Sequence, residues 1–322
     1  MQRILRPTLA CFIFGFFISV IQEVFFYRNK SKKTPEKIGK WKIIKIVKKD
    51  NYINKFNIGV YKYKRKKVLI KSWFGDLKNF NYYDLLQEYF TTKLMNKLIN
   101  SDNYPKSKYK LRIPNIKGYH RTKKSFSLII EYIQGRRLST LSQYKQAEIL
   151  IYILKNYKNI TFSKRLQLQD FPKQSIYFYL LSLPLHTMMS ALSNLKSTPV
   201  ILKAFLLFLR SLKYFKKEPL ILAHRDLNPK NILIRKNNIF LLDNGNTVLT
   251  FPNYDLEYLR LDPEFEPVFY KICSKLKYDT NNNFFLNFFL IHFSKSFALH
   301  PKTSNYYLEQ LHQRYGNKQK NI

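Results

Sequence analysis

Acidic residues are scarce in this chain relative to basic ones. The 322 residues include 20 Asp and Glu against 57 Lys and Arg, which gives a formal net charge of +37. This imbalance indicates an anionic partner, such as a membrane surface, nucleic acid or a phosphorylated substrate. Codon bias is the alternative explanation, because Lys, Asn, Ile, Phe and Tyr are abundant together, as an AT-rich genome would produce.

Cysteine and glycine are scarce as well. Cys11 and Cys273 lie far apart without metal-site spacing, which excludes a disulfide framework or a zinc cluster and favours a reducing compartment. The eight glycines form no G-x-G-x-x-G sequence. The chain therefore has no glycine-rich loop of the kind that lets backbone N–H groups approach phosphates closely.

The polar residues that can carry chemistry are concentrated between Ile221 and Thr247. This stretch contains HRD, ending at Asp226, then Asn231 and Asp243, with apolar runs that predict two short strands joined by a tight turn at 235–238. Such a hairpin would place the three side chains together at one end. Phosphoryl transfer needs one carboxylate to orient an attacking hydroxyl and hard oxygen ligands to hold Mg²⁺.

This pattern resembles the catalytic loop H-R-D-x-x-x-x-N and the D-x-G sequence of the protein-kinase-like superfamily. HRDLNPKN is similar to its small-molecule branch, the aminoglycoside and choline phosphotransferases and the bacterial lipopolysaccharide (Kdo-type) kinases. The resemblance implies an α+β bilobal fold, with a small antiparallel β-sheet N-lobe carrying one helix and a mainly helical C-lobe. It also implies ATP and Mg²⁺ as cofactors, Asp226 orienting the acceptor hydroxyl, Asn231 and Asp243 as metal ligands, and a structural role for His224.

The first part of the chain has the pattern expected of that N-lobe. Strands are predicted at Trp41–Val47, Phe56–Tyr63 and Lys67–Trp73, with a helix at Tyr82–Leu98. The resemblance implies that Lys71, near the end of the third strand, holds the ATP phosphates. Glu88 on the helix is its expected ion-pair partner, and Asp84 is the alternative.

The sequence EYIQGR, beginning at Glu131, resembles the hinge of the phosphotransferases. Backbone groups around Glu131 and Ile133 are therefore expected to bind the adenine edge. The connection at 48–55 lacks a glycine-rich loop, which argues against a typical protein kinase, whereas the aminoglycoside branch often lacks that loop. We predict an N-lobe at 31–134 and a C-lobe at 135–322.

The C-lobe sequence predicts several helices and one acidic cluster. The helices are expected at 138–154, 171–195 with an interruption near Pro184, 200–215 and 284–293. The segment Ile201–Leu212 is too short and too charged at its edges to span a membrane, so we interpret it as core. We interpret the acidic cluster as solvated helix starts; the alternative interpretation is that it binds a cationic acceptor. Its members are Asp255, Glu257, Asp262, Glu264 and Glu266.

The N-terminus contains an uncharged apolar run of fourteen residues, Thr8 to Ile21. A transmembrane helix needs about 20 such residues, and a buried first helix is the alternative interpretation. Arg3 and Arg6 resemble the start of a signal peptide, but export would separate a kinase site from ATP. The basic segment 28–33 would remain cytoplasmic and attract anionic headgroups. We therefore predict an uncleaved anchor at 1–30, with the catalytic part on the cytoplasmic face of the membrane.

These features predict an ATP-dependent phosphotransferase acting on a hydroxyl of a small molecule or a membrane-associated sugar or lipid. A nucleotide, a hydroxyl-bearing small-molecule or glycolipid acceptor and an anionic membrane surface are the expected partners; the oligomeric state is left open. The alternatives are a protein kinase, a pseudokinase scaffold, and a non-catalytic basic protein on membrane or RNA. Nucleic acid is not expected, because no RNA-binding motif is present.

Overall fold

The computed structural model describes residues 35–48, 56–74, 80–100, 108–212, 219–280, 284–294 and 301–316. The predicted anchor at 1–30 and residues 49–55 of the first strand connection lie outside these ranges. Within them, no helix is both long enough and apolar enough to cross a membrane. The lobe boundaries predicted at 30, 134 and 135 remain predictions.

An antiparallel sheet of six strands forms the first lobe, in the order β1-β2-β3-β4-β7-β6. The strands are β1 Lys37–Ile38, β2 Trp41–Lys48, β3 Asn57–Tyr63, β4 Lys66–Phe74, β6 Ile116–Thr122 and β7 Ser125–Glu131. The three strands predicted from alternating apolar residues are thus present, with no end shifted by more than one residue. Apolar side chains on one face of the sheet, among them Tyr61, Val68 and Ile70, pack into a small core.

Helix α1, Phe80–Asn100, crosses next to this sheet, within two residues of the predicted helix at each end. Leu85 packs with Trp73 of β4 and Phe126 of β7, whereas Met95 joins the core of the second lobe. The helix therefore connects the two halves of the molecule. Its position also brings it against the turn that follows Asp243.

The described residues also form two small sheets. The first has the order β5-β11-β10-β8, with β5 parallel to β11, and the second pairs β9 with β12. Their strands are β5 Lys110–Arg112, β8 Arg136–Arg137, β9 Ile221–Ala223, β10 Ile232–Arg235, β11 Asn238–Leu241 and β12 Val248–Thr250. Strands β10 and β11 form the hairpin predicted from the sequence, with Ile232 opposite Leu241.

Helices make up most of the second lobe. They are α2 Gln143–Ser163, α3 Ile176–Ser193, α4 Thr198–Ser211, α5 Tyr254–Tyr258, α6 Glu266–Leu276, α7 Phe284–Ser294 and α8 Pro301–Tyr315. Helix α2 starts later than predicted because Ser142 caps it by accepting from Lys145 N. Helices α3, α4 and α8 surround α7, whose phenylalanines fill one core.

Three details differ from the sequence predictions. Helix α3 continues through Pro184 without interruption, because its flanking turns are held by packing of Tyr179 and Leu183 in the core. Helix α4 is only half core: one side is buried, but Leu206 on the other side is 55% exposed. Among the acidic residues, Asp255 and Glu257 are buried rather than solvated.

Candidate active site

The β10–β11 hairpin brings Asp226, Asn231 and Asp243 to one end, as its sequence predicts. Asn231 precedes β10, and its carbonyl accepts from Leu242 N at 2.9 Å, immediately before Asp243. The Asn231 amide nitrogen donates to Asp226 Oδ2 at 2.7 Å. Residues five and seventeen positions after Asp226 in sequence are therefore fixed beside it by strand pairing and one side-chain hydrogen bond.

Asp226 is held by amide groups on both carboxylate oxygens. Asn228 Nδ2 donates to Asp226 Oδ1 at 2.8 Å, opposite the bond from Asn231. Burial and then the negative charge of Asp243 raise the pKa of Asp226 to about 6, although hydrogen bonds from the two asparagines oppose the shift. The carboxylate is thus oriented and more basic than an exposed aspartate, which suits a group that accepts a proton from a hydroxyl.

Lys71 links the two lobes through two carboxylates. Its Nζ lies 2.7 Å from Glu88 Oε2 on α1 and 3.1 Å from Asp243 Oδ1. The spacing of 172 residues between Lys71 and Asp243 is closed entirely by tertiary structure. The structure thus brings Lys71, Glu88 and Asp243 together, and Glu88 is in the position expected of the ion-pair partner of the lysine.

Burial shapes the charges of this cluster. Burial lowers the pKa of Lys71, but Asp243 and Glu88 together outweigh it and raise the pKa above the usual lysine value. The same burial raises the pKa of Glu88 to about 7, against the opposing effect of Lys71. A buried, protonated lysine beside two acidic groups is a cation able to bind phosphate oxygens.

Gly245 allows helix α1, which carries Glu88, to pack closely against the turn that follows Asp243. A Cβ at this position would lie 3.0 Å from Glu88 Cβ. The Gly245 carbonyl also accepts from Gln87 Nε2 at 2.8 Å. The glycine two residues after Asp243 is therefore used here for close packing against α1.

The hinge residues lie where β7 leaves the first lobe. The Glu131 carboxylate accepts from Asn115 N and Nδ2 at 3.0 and 2.8 Å, and Glu131 N donates to Asn115 O at 2.8 Å. The side chain of Ile133 is buried. The Glu131 side chain and N–H are thus used internally, and binding of adenine by other backbone groups around Glu131 and Ile133 remains a prediction.

The structure adds Asp255 to the site. Reasoning from the sequence did not assign this residue a role there. Its two carboxylate oxygens accept from His224 N and Arg225 N, each at 2.7 Å. Arg225 has a left-handed backbone with φ of 66°, which is unfavourable for a side chain of this size. Two charge-assisted bonds therefore hold a strained residue immediately before Asp226. The sequence pattern places Asp255 only in the acidic cluster, which predicts a solvated helix start rather than this role.

His224 supports the same loop from the other side. Its Nε2 bonds to Leu242 O at 2.9 Å, and burial lowers the pKa of the ring. The neutral, fully buried imidazole therefore holds Leu242, the residue between β11 and Asp243, in place. This arrangement agrees with a structural role rather than that of a base.

Asn231 and Asp243 offer a donor set that fits Mg²⁺ bound together with a nucleotide. The Asn231 nitrogen donates to Asp226, so its amide oxygen is the atom able to ligate a cation. The Asp243 side chain is 44% exposed. Among the described residues, no group of three or more His, Cys, Asp or Glu could hold a metal alone. Mg²⁺ commonly uses one or two protein oxygens and takes its remaining ligands from water and phosphate.

Solved structures similar to this chain are aminoglycoside-type phosphotransferases. A thermostable mutant of an aminoglycoside phosphotransferase, in ternary complex with AMP-PNP and hygromycin B, has a TM-score of 0.62 and 9% identity, covering 86% of this chain and 95% of its own. The gentamicin complex of another aminoglycoside phosphotransferase has a TM-score of 0.57 and 14% identity, covering 94% and 96%. A spectinomycin phosphotransferase with ADP and spectinomycin has a TM-score of 0.54 and 13% identity, covering 86% and 89%.

These similarities confirm the fold implied by the sequence resemblance. The chain has the kinase-like α+β architecture of the aminoglycoside phosphotransferases, with a curled antiparallel N-terminal sheet and a helical C-terminal part. No protein-family model and no curated protein sequence matches the chain. At identities of 9 to 14% the likeness establishes the fold, so activity must be argued from the site.

Proposed function

We propose that this chain is an ATP-dependent phosphotransferase that phosphorylates a hydroxyl of a small molecule or of a membrane-associated sugar or lipid. The observation that carries the proposal is the assembly of Lys71, Glu88, Asp226, Asn231 and Asp243 in one place. Two of the similar solved structures contain AMP-PNP with hygromycin B and ADP with spectinomycin. Fold and site therefore support the same reaction class.

Each of these residues has a distinct part in the proposed reaction. Asp226 orients the acceptor hydroxyl and accepts its proton, while Lys71, positioned by Glu88, binds phosphate oxygens of ATP. Asn231 and Asp243 hold Mg²⁺, which neutralises charge on the transferred phosphoryl group when bound. Catalysis rests on positioning and electrostatic stabilisation, with no covalent intermediate on the protein.

The charges around the site favour a neutral or anionic acceptor over a polycationic one. Asp255 is used by backbone N–H groups, and Glu257 accepts from Tyr278 OH at 2.8 Å. Asp262 and Glu264 pair with Lys230 at 3.2 and 2.9 Å. These acids are thus engaged within the protein, unlike free carboxylates that would bind the amino groups of an antibiotic. We therefore place a sugar or lipid hydroxyl first among acceptors.

The test is Mg²⁺-dependent ATP turnover by the full chain, its Asp243→Ala variant and an Asp262→Ala control. The acceptors to be screened are simple sugars, choline, aminoglycosides and lipopolysaccharide precursors. We expect Asp243→Ala to abolish turnover, because it removes a metal ligand, and Asp262→Ala to retain it. Absence of nucleotide binding by folded parent protein would overturn the proposal.

Three other outcomes separate the rival functions. Transfer of label to added protein but not to sugars or lipids would identify a protein kinase. Nucleotide binding without turnover on any acceptor, unchanged by Asp243→Ala, would indicate a pseudokinase scaffold. Salt-sensitive binding to RNA that persists without ATP would instead support a basic binding protein.

A further inference from the structure

The outer face of helix α3 exposes apolar side chains at helical spacing. Its exposed stripe consists of Tyr177, Leu181, Met188 and Leu192. Tyr177 and Leu192 are 70% and 69% exposed, and the whole helix carries no acidic, lysine or arginine residue. An amphipathic surface helix would present charged residues on this side. The apolar stripe therefore has no explanation in the packing of the described protein.

Helix α4 extends this surface. Leu202, Leu206 and Leu209 form a second exposed stripe, spaced by four and three residues. The opposite sides of both helices are buried, and α3 and α4 pack on each other and on α7. Because α7 lies beneath both helices, the two stripes face outward from the same layer. We call these two exposed stripes on neighbouring helices the α3–α4 face.

The border of the α3–α4 face is basic. No acidic residue occurs between Asp170 and Glu218, whereas seven lysines and arginines do. Four of these are described and exposed: Lys173, Lys196, Lys203 and Arg210. An apolar surface on a segment that carries cations and no acidic residue has the chemistry of an element that lies in the headgroup region of a bilayer.

We propose that the α3–α4 face docks on a membrane containing anionic lipid, with both helices lying in the plane of its surface. Neither helix is long and apolar enough to span a membrane. A bilayer would cover the exposed leucines and tyrosine, while anionic headgroups would neutralise the lysines and arginine around them. This contact is separate from the predicted N-terminal anchor and uses residues of the folded C-lobe.

Charge complementarity favours lipid over the two other possible occupants. A second copy would place the same basic border against itself, because a two-fold interface pairs identical surfaces, and each copy has a net charge of +37. The chain's own N-terminal segment also carries a basic flank at 28–33. Both contacts would bring like charges together, whereas an anionic membrane would not.

The α3–α4 face is joined firmly to the candidate active site. Tyr179, on the buried side of α3, bonds to Thr250 Oγ1 at 2.6 Å and packs against Phe251. Thr250 ends β12, the strand that follows Asp243. Docking would thus hold the catalytic loop at a fixed position relative to the bilayer. This positioning would matter for phosphorylation of a lipid acceptor, and in that respect it rests on the proposed function. The docking of the α3–α4 face on a membrane does not depend on the proposed function.

A tryptophan reporter in the full chain tests the location of the contact. Leu192→Trp places the reporter in the face, and Ile44→Trp places one at a half-exposed position of β2. Each variant is mixed with vesicles of equal parts phosphatidylcholine and phosphatidylglycerol carrying brominated acyl chains, which quench only nearby indoles. We expect most of the added fluorescence of Leu192→Trp to be quenched and that of Ile44→Trp to be unchanged.

Charge reversal tests the border. Lys196→Glu with Arg210→Glu should lower affinity for these vesicles by at least about tenfold, since each basic residue near an anionic surface contributes on the order of 1 kcal/mol. Lys66→Glu with Lys67→Glu, on β4, changes net charge equally and should have a much smaller effect. Equal losses for the two pairs would overturn the proposal.

Three further results would overturn it. The first is vesicle binding without quenching of Leu192→Trp, which would assign binding to the N-terminal run alone. The second is that, without lipid, this tryptophan becomes more shielded from acrylamide as protein concentration rises. That result would identify a second copy as the occupant. The third is the same shielding at every concentration, which would identify the chain's own N-terminal segment.

Discussion

Two charged clusters flank the catalytic loop, and they differ mainly in burial. In the first, Lys71 pairs with Glu88 and Asp243, and the lysine and glutamate side chains are 10% and 6% exposed. In the second, Lys230 pairs with Asp262 and Glu264, and all three side chains are between 42% and 53% exposed. The residue types and distances are similar, so the exposure of the lysine and its glutamate separates the buried cluster from the surface one.

The comparison shows where electrostatic energy is used in this protein. An exposed ion pair contributes about 0–1 kcal/mol because water screens it. Burying Lys71 and Glu88 costs desolvation energy that their mutual attraction repays only in part. Such a pair is weak evidence for stability, and its position between the lobes indicates a functional use. In a desolvated cleft the same charges act strongly on phosphate oxygens.

Replacing the lysine of each cluster should give the largest contrast. Lys71→Met should lower turnover at saturating ATP by about 100- to 1000-fold, because it removes a positioned cation from the phosphates. Lys230→Met should change it less than about fivefold, since an exposed pair is worth at most about 1 kcal/mol. Steady-state kinetics with the acceptor found in the screen measure both.

Thermal unfolding of the two lysine variants is the control for this contrast. Glu88 has a pKa of about 7 even beside Lys71, so it can become protonated when the lysine is lost and limit the damage to folding. Folded Lys71→Met protein with nearly full turnover would contradict the functional assignment of the buried cluster.

A buried acid away from the site should make stability depend on pH. Burial raises the pKa of Glu257 to about 7, above its usual value near 4.5, so the folded state favours the protonated form. Its contribution is complete below about pH 4.5 and is lost as pH rises through 7, by at most roughly 3 kcal/mol. Glu257→Gln should reduce the fall in unfolding free energy between about pH 5 and pH 8.

Chemical denaturation at the two pH values measures this effect. Glu264→Gln is the matched control, because it makes the same change at an exposed position of the second cluster, and it should leave the pH dependence as in the parent. The Arg260 guanidinium lies 3.9 Å from Glu257. A Glu257→Gln variant less stable than the parent mainly at high pH would show that this ion pair, rather than burial, governs the residue.

The smallest expected effect concerns the packing beneath the buried cluster. Gly245→Ala places a Cβ 3.0 Å from Glu88 Cβ, so α1 must shift by a few tenths of an ångström. We expect a loss of about 1 kcal/mol in unfolding free energy, as for other overpacked sites, and a fall of turnover by about tenfold or less. Asn246→Ala, at the exposed next position, should change neither; a neutral Gly245→Ala would show that α1 adapts freely.

Local sequence patterns predicted the parts of the fold that local physics decides. The strands around Gly59 and Lys71 and the hairpin after Asn231 follow from alternating apolar residues and polar turns. Pairing of β10 with β11 then fixes Asn231 and Asp243 near Asp226 without reference to the rest of the chain. The ion pair between Lys71 and Glu88 was predicted from the family resemblance, because their spacing in sequence does not by itself indicate a contact.

Residues whose surroundings come from distant segments were misjudged. Asp255 follows a polar turn, and its sequence cannot show that the backbone N–H groups of 224 and 225 converge on it. Helix α4 has enough leucine to be read as core, but α7 covers only one side of it. Pro184 predicts a break in an isolated helix, whereas tertiary packing keeps α3 continuous.

The sequence by itself determined the HRD…N…D motif, the hairpin that gathers it, three strands and the helix of the first lobe and the strongly basic character of the chain. These depend on side-chain type, short spacing and net charge, which are properties of neighbours in sequence. Tertiary structure alone decided that Lys71 meets Asp243 across 172 residues, that Asp255 holds the catalytic loop, and that the α3–α4 face remains uncovered by described residues. Those outcomes depend on burial and on which segments pack together, and both are set only when the whole chain folds.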